Sequence, residues 1–462
     1  MRKTREETGG HGGRTDGAAG GGGRARFHAA GPDLSARQRW LVFAALLMSY
    51  AVFAVLLNSV GIVILQAIRY FGVAKTTASS LEAFKDLSIA GVSFAFAAFI
   101  PRLGYRRALV IAMMAVSLAL FAMPVADRFF MAQLLFLVTG ASFALVKVTT
   151  YAAIGLLSRD GRDHQFRMNL LEGVFMLGVL SAYWLFGFFI GERANDDPGW
   201  MHVYYLLGAV TLAGGGLIAL LPFPEARSPQ EGDGGKSPGG PGFVAMLRLA
   251  LRPAIAIFVL TVFLYVLIEQ GVGTWLPTFN REVLALDPRL SVEMTSIFAA
   301  SLALGRLGAG VLLRRLAWYP VLVTALVAMA VLILVALPLA RALPHDGGID
   351  ILGLPVAAFL LPMVGLFMAP IYPAINSALL SSYPPQLHAP MTGLIVVFSA
   401  LGGTTGSLIT GFIFAHLGGI HAFFGILVPI ALMVAALRLL RAALARENVR
   451  KETPDHGRAG TG

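Results

Sequence analysis

Apolar stretches of about 18 to 28 residues recur twelve times along this sequence, and that recurrence constrains the fold more than any other feature. A helix needs about 20 apolar residues to cross a bilayer, because each residue advances it by about 1.5 Å. The predicted spans are 40–67, 76–100, 108–125, 130–157, 168–190 and 202–223, followed by 253–277, 293–313, 319–340, 351–378, 389–415 and 421–440. The first is too long for a signal-peptide core, and no small-residue cleavage site follows it cleanly. Composition agrees, with 57% of the 462 residues apolar and 13% charged, against roughly 45–50% and about 25% in soluble domains. A large soluble enzyme, a coiled coil and a wholly disordered chain are excluded. The expected fold is an all-α membrane protein with twelve transmembrane helices.

One connection is long and polar. Glu225 to Pro241 is rich in Gly, Ser and Pro, as flexible linkers are. It separates six helices from six, which predicts two pseudo-symmetric six-helix bundles. The expected divisions are a disordered Gly-rich tail 1–38, a bundle 39–224, a linker 225–247, a bundle 248–445 and a second tail 446–462. The 36 Lys and Arg then sort by side. Segments on the side of the termini hold 26, the opposite loops hold 7, and 3 lie inside helices. By the positive-inside rule both termini and the linker face the cytoplasm, in a multi-pass protein of the inner (plasma) membrane. Scattered over alternate loops, these bases form no continuous stripe, so no nucleic-acid partner is expected.

Catalysis has no visible machinery. The chain has no Cys, which excludes disulfides, thiolate metal sites and thiol nucleophiles. No His/Asp/Glu cluster has metal-ligand spacing, no His lies at mid-membrane depth, and no Gly-x-Ser-x-Gly elbow occurs. No enzyme activity, cofactor or metal is expected.

Seven ionisable residues fall well inside predicted spans: Glu82, Lys85 and Asp86 on helix 2, Lys147 on helix 4, Glu172 on helix 5, Glu269 on helix 7 and Arg306 on helix 8. Each costs roughly 2.5–3.5 kcal/mol at a helix centre. They must therefore pair, face a watery cavity or lie near an interface. Glu82, Lys85 and Asp86 stand at i, i+3 and i+4 on one face. That cluster is net negative and calls for an outside cation, for which Lys147 sits at a suitable depth. Only 6 of the 36 basic residues are Lys, yet two of those six are in helices; Lys titrates when desolvated, whereas Arg stays charged. Proton coupling through Glu82, Lys85, Asp86 and Glu269 is one expectation, and an ion-pair clamp between helices is the other. Glu172 and Arg306, nearer the cytoplasmic helix ends, are expected to gate or to pair at the interface.

Two helices carry interruptions. Glu269-Gln270-Gly271-Val272-Gly273-Thr274-Trp275-Leu276-Pro277 loosens helix 7, and Pro370-Ile371-Tyr372-Pro373 kinks helix 10. Interrupted helices are where transporters place binding sites. Gln270, Trp275, Tyr372 and Asn376, with Lys147 and Asn58 of helix 1, are the substrate-binding candidates. Asn58 also suits a plain hydrogen bond between helices, and Glu269 a snorkelling side chain at a kink. The run Gly402-Gly403-Thr404-Thr405-Gly406 suits close helix packing.

In these features the chain resembles the major facilitator superfamily. Arg102-Leu103-Gly104-Tyr105-Arg106-Arg107 matches the latter part of that superfamily's loop signature, although Pro101 stands where an acid is usual. Arg102, Arg106 and Arg107 are the gating candidates this resemblance implies. The Glu269–Pro277 stretch, Gly305-Arg306, Ala369-Pro370-Ile371-Tyr372-Pro373 and Asn169-Leu170 with Gly178 are similar to the fucose–galactose–glucose proton symporters. Those members use carboxylates in helices 1 and 4, where this chain has no acid and Lys147 respectively. The resemblance implies secondary transport of a small polar, sugar-like solute by alternating access, coupled to protons, in a monomer embedded in lipid. The alternatives are an exporter or antiporter of an organic anion or amphipathic compound, drawn by Lys147, and a sensor or scaffold that moves nothing.

Overall fold

A computed structural model describes residues 29–30, 34–96, 104–190, 198–223, 225–226, 250–341, 355–380, 383 and 387–452. Among them, eleven helices are long and apolar enough to cross a membrane. The twelfth span, Ser80–Phe96, has only 17 residues and carries Glu82, Lys85 and Asp86. The protein is therefore an all-α, multi-pass membrane protein with two six-helix halves. Its one strand pairing, among the described residues, joins Ala29–Ala30 to Glu225–Ala226. That contact ties part of the expected disordered tail to the start of the linker. Residues 34–38 of that tail lead into the first helix, and the remainder of both segments lies outside the described residues.

Span 1 is Ala36–Asn58 continued by Val60–Tyr70, and span 2 is Ser80–Phe96 after a short turn at Lys75–Ala78. Spans 3 to 6 are Tyr105–Ala126, Phe129–Leu157, Gly161–Phe189 and His202–Leu220. Span 7 is Pro253–Gly273 with Leu276–Glu282, span 8 Pro288–Arg315 and span 9 Trp318–Arg341. Span 10 is broken into Ala357–Leu360, Val364–Met368 and Ile371–Leu380; the second break falls at Pro370 as expected, the first at Pro362, and Pro373 lies within the last helix. Spans 11 and 12 are His388–Leu417 and Gly419–Gly425 with Leu427–Glu452.

Span 1 begins earlier than its apolar run, at Ala36, because Ser35 and Gln38 form a capping box. It also breaks where a continuous helix was expected. Asn58 Nδ2 donates to the Ala54 carbonyl at 2.9 Å and Ser59 Oγ to the Leu56 carbonyl at 2.8 Å, local bonds that compete with the backbone ladder. Span 7 breaks at Thr274–Trp275, as its two glycines and Pro277 predict. The two breaks face each other. A Cβ on Gly61 would lie 2.5 Å from the Thr274 carbonyl oxygen, so only glycine permits this approach.

Within the first half, span 1 packs on span 5, span 2 on span 4, and span 3 on spans 4 and 6. In the second half, span 7 packs chiefly on span 11. There Gly402 and Gly406, one turn apart, abut the Phe263 and Leu267 carbonyls, the close packing expected of the glycine run. Contact between the halves runs through spans 2 and 11, spans 5 and 8, and the distal pieces of spans 1 and 7.

Candidate functional site

A cavity of about 240 Å³ lies between the halves. The first half lines it with Asn58 and Gly61 of span 1, Glu82 and Lys85 of span 2, and Phe175, Met176 and Tyr183 of span 5. The second half supplies Glu269, Gln270 and Thr274 of span 7, with Phe298 and Arg306 of span 8. Five separate spans from two halves thus line one void, and four of them bring a charged or amide side chain to it.

The span 2 cluster closes upon itself and reaches across to span 7. Glu82 is fully buried, and Lys85 and Asp86 are 5% and 8% exposed. Lys85 Nζ donates to Glu82 Oε1 and lies 3.4 Å from Asp86 Oδ1. Gln270 Nε2 donates to Glu82 Oε1 at 2.8 Å, and Thr274 Oγ1 to Glu82 Oε2 at 3.1 Å. Both oxygens of a buried carboxylate are therefore satisfied, with two of the three bonds coming from the opposite bundle. Burying a charge without such partners costs several kcal/mol, on the order that would unfold a helix pair. Asp86 is pressed against span 11 at Gly403, where a side chain would collide with its carboxylate.

Glu269 and Arg306 are placed differently. Tyr265, one turn earlier on span 7, donates to Glu269 Oε1 at 3.3 Å, and its ring lies 5.3 Å from that of Tyr372. Arg306 is exposed, and its Nη1 donates only to the Met176 thioether at 3.3 Å. Although both line the same void, no ion pair joins them among the described residues.

The cavity is shut on the side opposite the termini. Trp275 is fully buried, its Nε1 donating to the Ser407 carbonyl at 3.0 Å and its ring 5.5 Å from Phe414. Phe279 stacks on Phe423 at 4.6 Å, and Lys75 bridges the halves by an ion pair to Glu282 at 2.7 Å. On the side of the termini, Lys147, Glu172 and Arg306 are all exposed.

The candidates therefore sort as follows. Asn58, Gln270, Glu82, Lys85, Glu269 and Arg306 line the cavity, and Asp86 adjoins it through Lys85. Arg306 stands in the cavity wall rather than at the helix end, because span 8 runs nine residues past it, about 13 Å. Lys147 does not join the span 2 cluster. It sits over the rings of Phe143 and Tyr151 at 5.8 and 6.0 Å, beside Glu172, which accepts from Tyr151 at 2.6 Å. Trp275, Tyr372 and Asn376 are not among the residues lining the void, and Tyr372 stands behind it with its hydroxyl 3.5 Å from Ser399 Oγ. Arg106 donates to the Ala219 carbonyl at the end of span 6, Arg107 is exposed, and Arg102 lies outside the described residues. Thr274 and Tyr265 escaped the sequence reading. Each stands four residues from a named partner, Gln270 or Glu269, a spacing that shares a helix face.

No curated protein matches the chain in sequence. Solved structures that resemble it include the nucleoside transporter NupG (TM-score 0.65, 13% identity, covering 88% of this chain and 98% of that one). A D-xylose-proton symporter gives 0.62 at 15% identity, covering 88% and 97%. FucP in its outward conformation gives 0.55 at 17% identity, covering 88% and 99%, a likeness of fold to the fucose-type branch. The model of the Major Facilitator Superfamily matches residues 40–364, most of the membrane portion. With two six-helix halves meeting around one polar cavity, this chain belongs to the major facilitator superfamily, a family of membrane transporters and not of enzymes.

Proposed function

We propose that this chain is a secondary active transporter that moves a small polar solute by alternating access, coupled to a proton. The observation that carries the reading is the charge set of the cavity: three acids, Glu82, Asp86 and Glu269, against two bases, Lys85 and Arg306. Fully ionised, that set carries one negative charge in excess, and a single bound proton neutralises it. A neutral set can cross between the two open states without carrying charge through the field, which is worth about 2.3 kcal/mol per charge at 100 mV. Asp86 and Glu269 are the candidate titrating groups.

The void of about 240 Å³ lies just below the usual range of ligand pockets, which run from about 300 Å³ upward. It suits a solute of sugar or metabolite size better than a bulky amphipathic compound. The organic-anion alternative drew on Lys147, which lies outside the lining. Named neighbours in structure include a xylose-proton symporter and a nucleoside transporter, which agrees with a polar solute. In this reading the halves 39–224 and 248–445 rock about the cavity in a monomer. The charge bias of the loops supports cytoplasmic termini in the inner membrane, so the shut side faces outward. Solute uptake into proteoliposomes under an imposed pH gradient tests this. Uptake indifferent to the gradient, and unchanged in an Asp86→Asn, Glu269→Gln double variant, removes both residues from coupling.

A further inference from the structure

We propose that Glu269 and Arg306 read the two ends of a small zwitterion, its ammonium on Glu269 and its carboxylate on Arg306. The proposal rests on the cavity being the solute site, and it narrows the solute to a class. Two opposite charges share a void with room for roughly eight waters at about 30 Å³ each. Left to themselves, a guanidinium and a carboxylate in so small a space gain most by pairing, and here they do not pair. Glu269 is drawn back along its own helix by Tyr265, and among the described residues its Oε2 has no hydrogen-bond partner. Arg306 spends one of five donors on a thioether, a weak acceptor, and its other donors have no hydrogen-bond partner among the described residues.

An uncharged polyol gives each of these groups a hydrogen bond but compensates neither charge. A solute carrying a carboxylate beside an ammonium compensates both at once, and the Arg fork is shaped for a bidentate carboxylate. Gln270 and Thr274 cannot take that role, because neither carries a charge and each already donates to Glu82. The assignment also divides the labour of the acids. With Glu269 occupied by the ammonium, the unbalanced charge stays on span 2, where Glu82 and Asp86 share the single Lys85, and the coupled proton goes to Asp86.

The test uses the purified full chain, with thermal unfolding as the readout of binding. The probes are the proteinogenic amino acids, with propionate, ethylamine and D-glucose as controls that lack one charge or both. At least one small amino acid raises the unfolding temperature at concentrations where the controls do not. Arg306→Gln and Glu269→Gln each weaken that binding by more than about tenfold, the loss of one charge-assisted contact. Should Arg306→Gln fail to fold, Arg306→Lys keeps the charge without the fork and still weakens the amino acid. Stabilisation by glucose alone, or by no amino acid in the panel, overturns the proposal. So does an affinity that stays within twofold in both variants. Amino-acid binding without uptake into proteoliposomes would remove the transport reading and leave this assignment standing. Uptake of an uncharged sugar that survives Arg306→Gln would do the reverse.

Discussion

The two walls of the cavity handle charge in opposite ways. On span 2, Glu82, Lys85 and Asp86 are buried and bonded to one another, and Glu82 is held by two donors from the other half. On spans 7 and 8, Glu269 and Arg306 face the same void with weak partners or none. A satisfied cluster that crosses between bundles stabilises one arrangement of those bundles. An unsatisfied pair in a void stabilises whatever enters it. The contrast separates the part of the site that ties the halves together from the part that reads a solute.

Removing Lys85 breaks the first wall most severely. Lys85→Met leaves two buried acids without their shared cation and should destabilise the protein by about 3–5 kcal/mol. Thermal unfolding in detergent measures it, and the added change Asp86→Asn should restore part of the loss. A single variant as stable as the parent would mean that the cluster is not buried as described. Next in size is Asp86→Asn alone, which should abolish accumulation driven by a pH gradient while leaving solute exchange intact. Counterflow beside gradient-driven uptake distinguishes the two, and full accumulation in this variant places the proton elsewhere.

Gln270→Ala should act at an intermediate level. It removes a charge-assisted bond across the halves, worth about 1.5–3 kcal/mol, and so shifts the balance toward the state open opposite the termini by about tenfold or more. The rate at which a single cysteine placed at Phe279 is alkylated from that side should rise accordingly; an unchanged rate would mean that span 2 does not hold span 7. Lys147→Gln should do least, changing solute affinity by less than about twofold. Lys147 contacts rings and stands outside the lining, so a loss of tenfold would bring it into the solute path.

Much of this was legible in the chain. Length and apolar content placed the spans, and the cost of charge in lipid singled out Glu82, Lys85, Asp86, Glu269 and Arg306 before any geometry was known. Which charges meet was not legible. Depth along a helix says how far a side chain lies from the end, not which neighbour it faces, so Lys147 looked a fit partner for span 2 and turned instead toward Phe143, Tyr151 and Glu172. Helix ends were misjudged for a related reason. Spans 5 and 8 continue past their apolar runs, from Gly161 and to Arg315. That extension sets Glu172 and Arg306 further from their helix ends than hydropathy suggests. The break at Asn58–Ser59 came from side-chain bonds to carbonyls one turn back, which no hydropathy pattern records. Trp275 was right as part of an interrupted helix, but its ring points away from the void and packs against span 11.

The native chain contains no cysteine, so one introduced thiol reports accessibility without background. Ala299→Cys places that thiol in the cavity wall, on span 8. In membrane vesicles of known orientation, a membrane-impermeant thiol reagent should reach it from the termini side and, in a solute- and proton-dependent fraction, from the opposite side as well. Labelling confined to one face under every condition would contradict alternating access through this cavity.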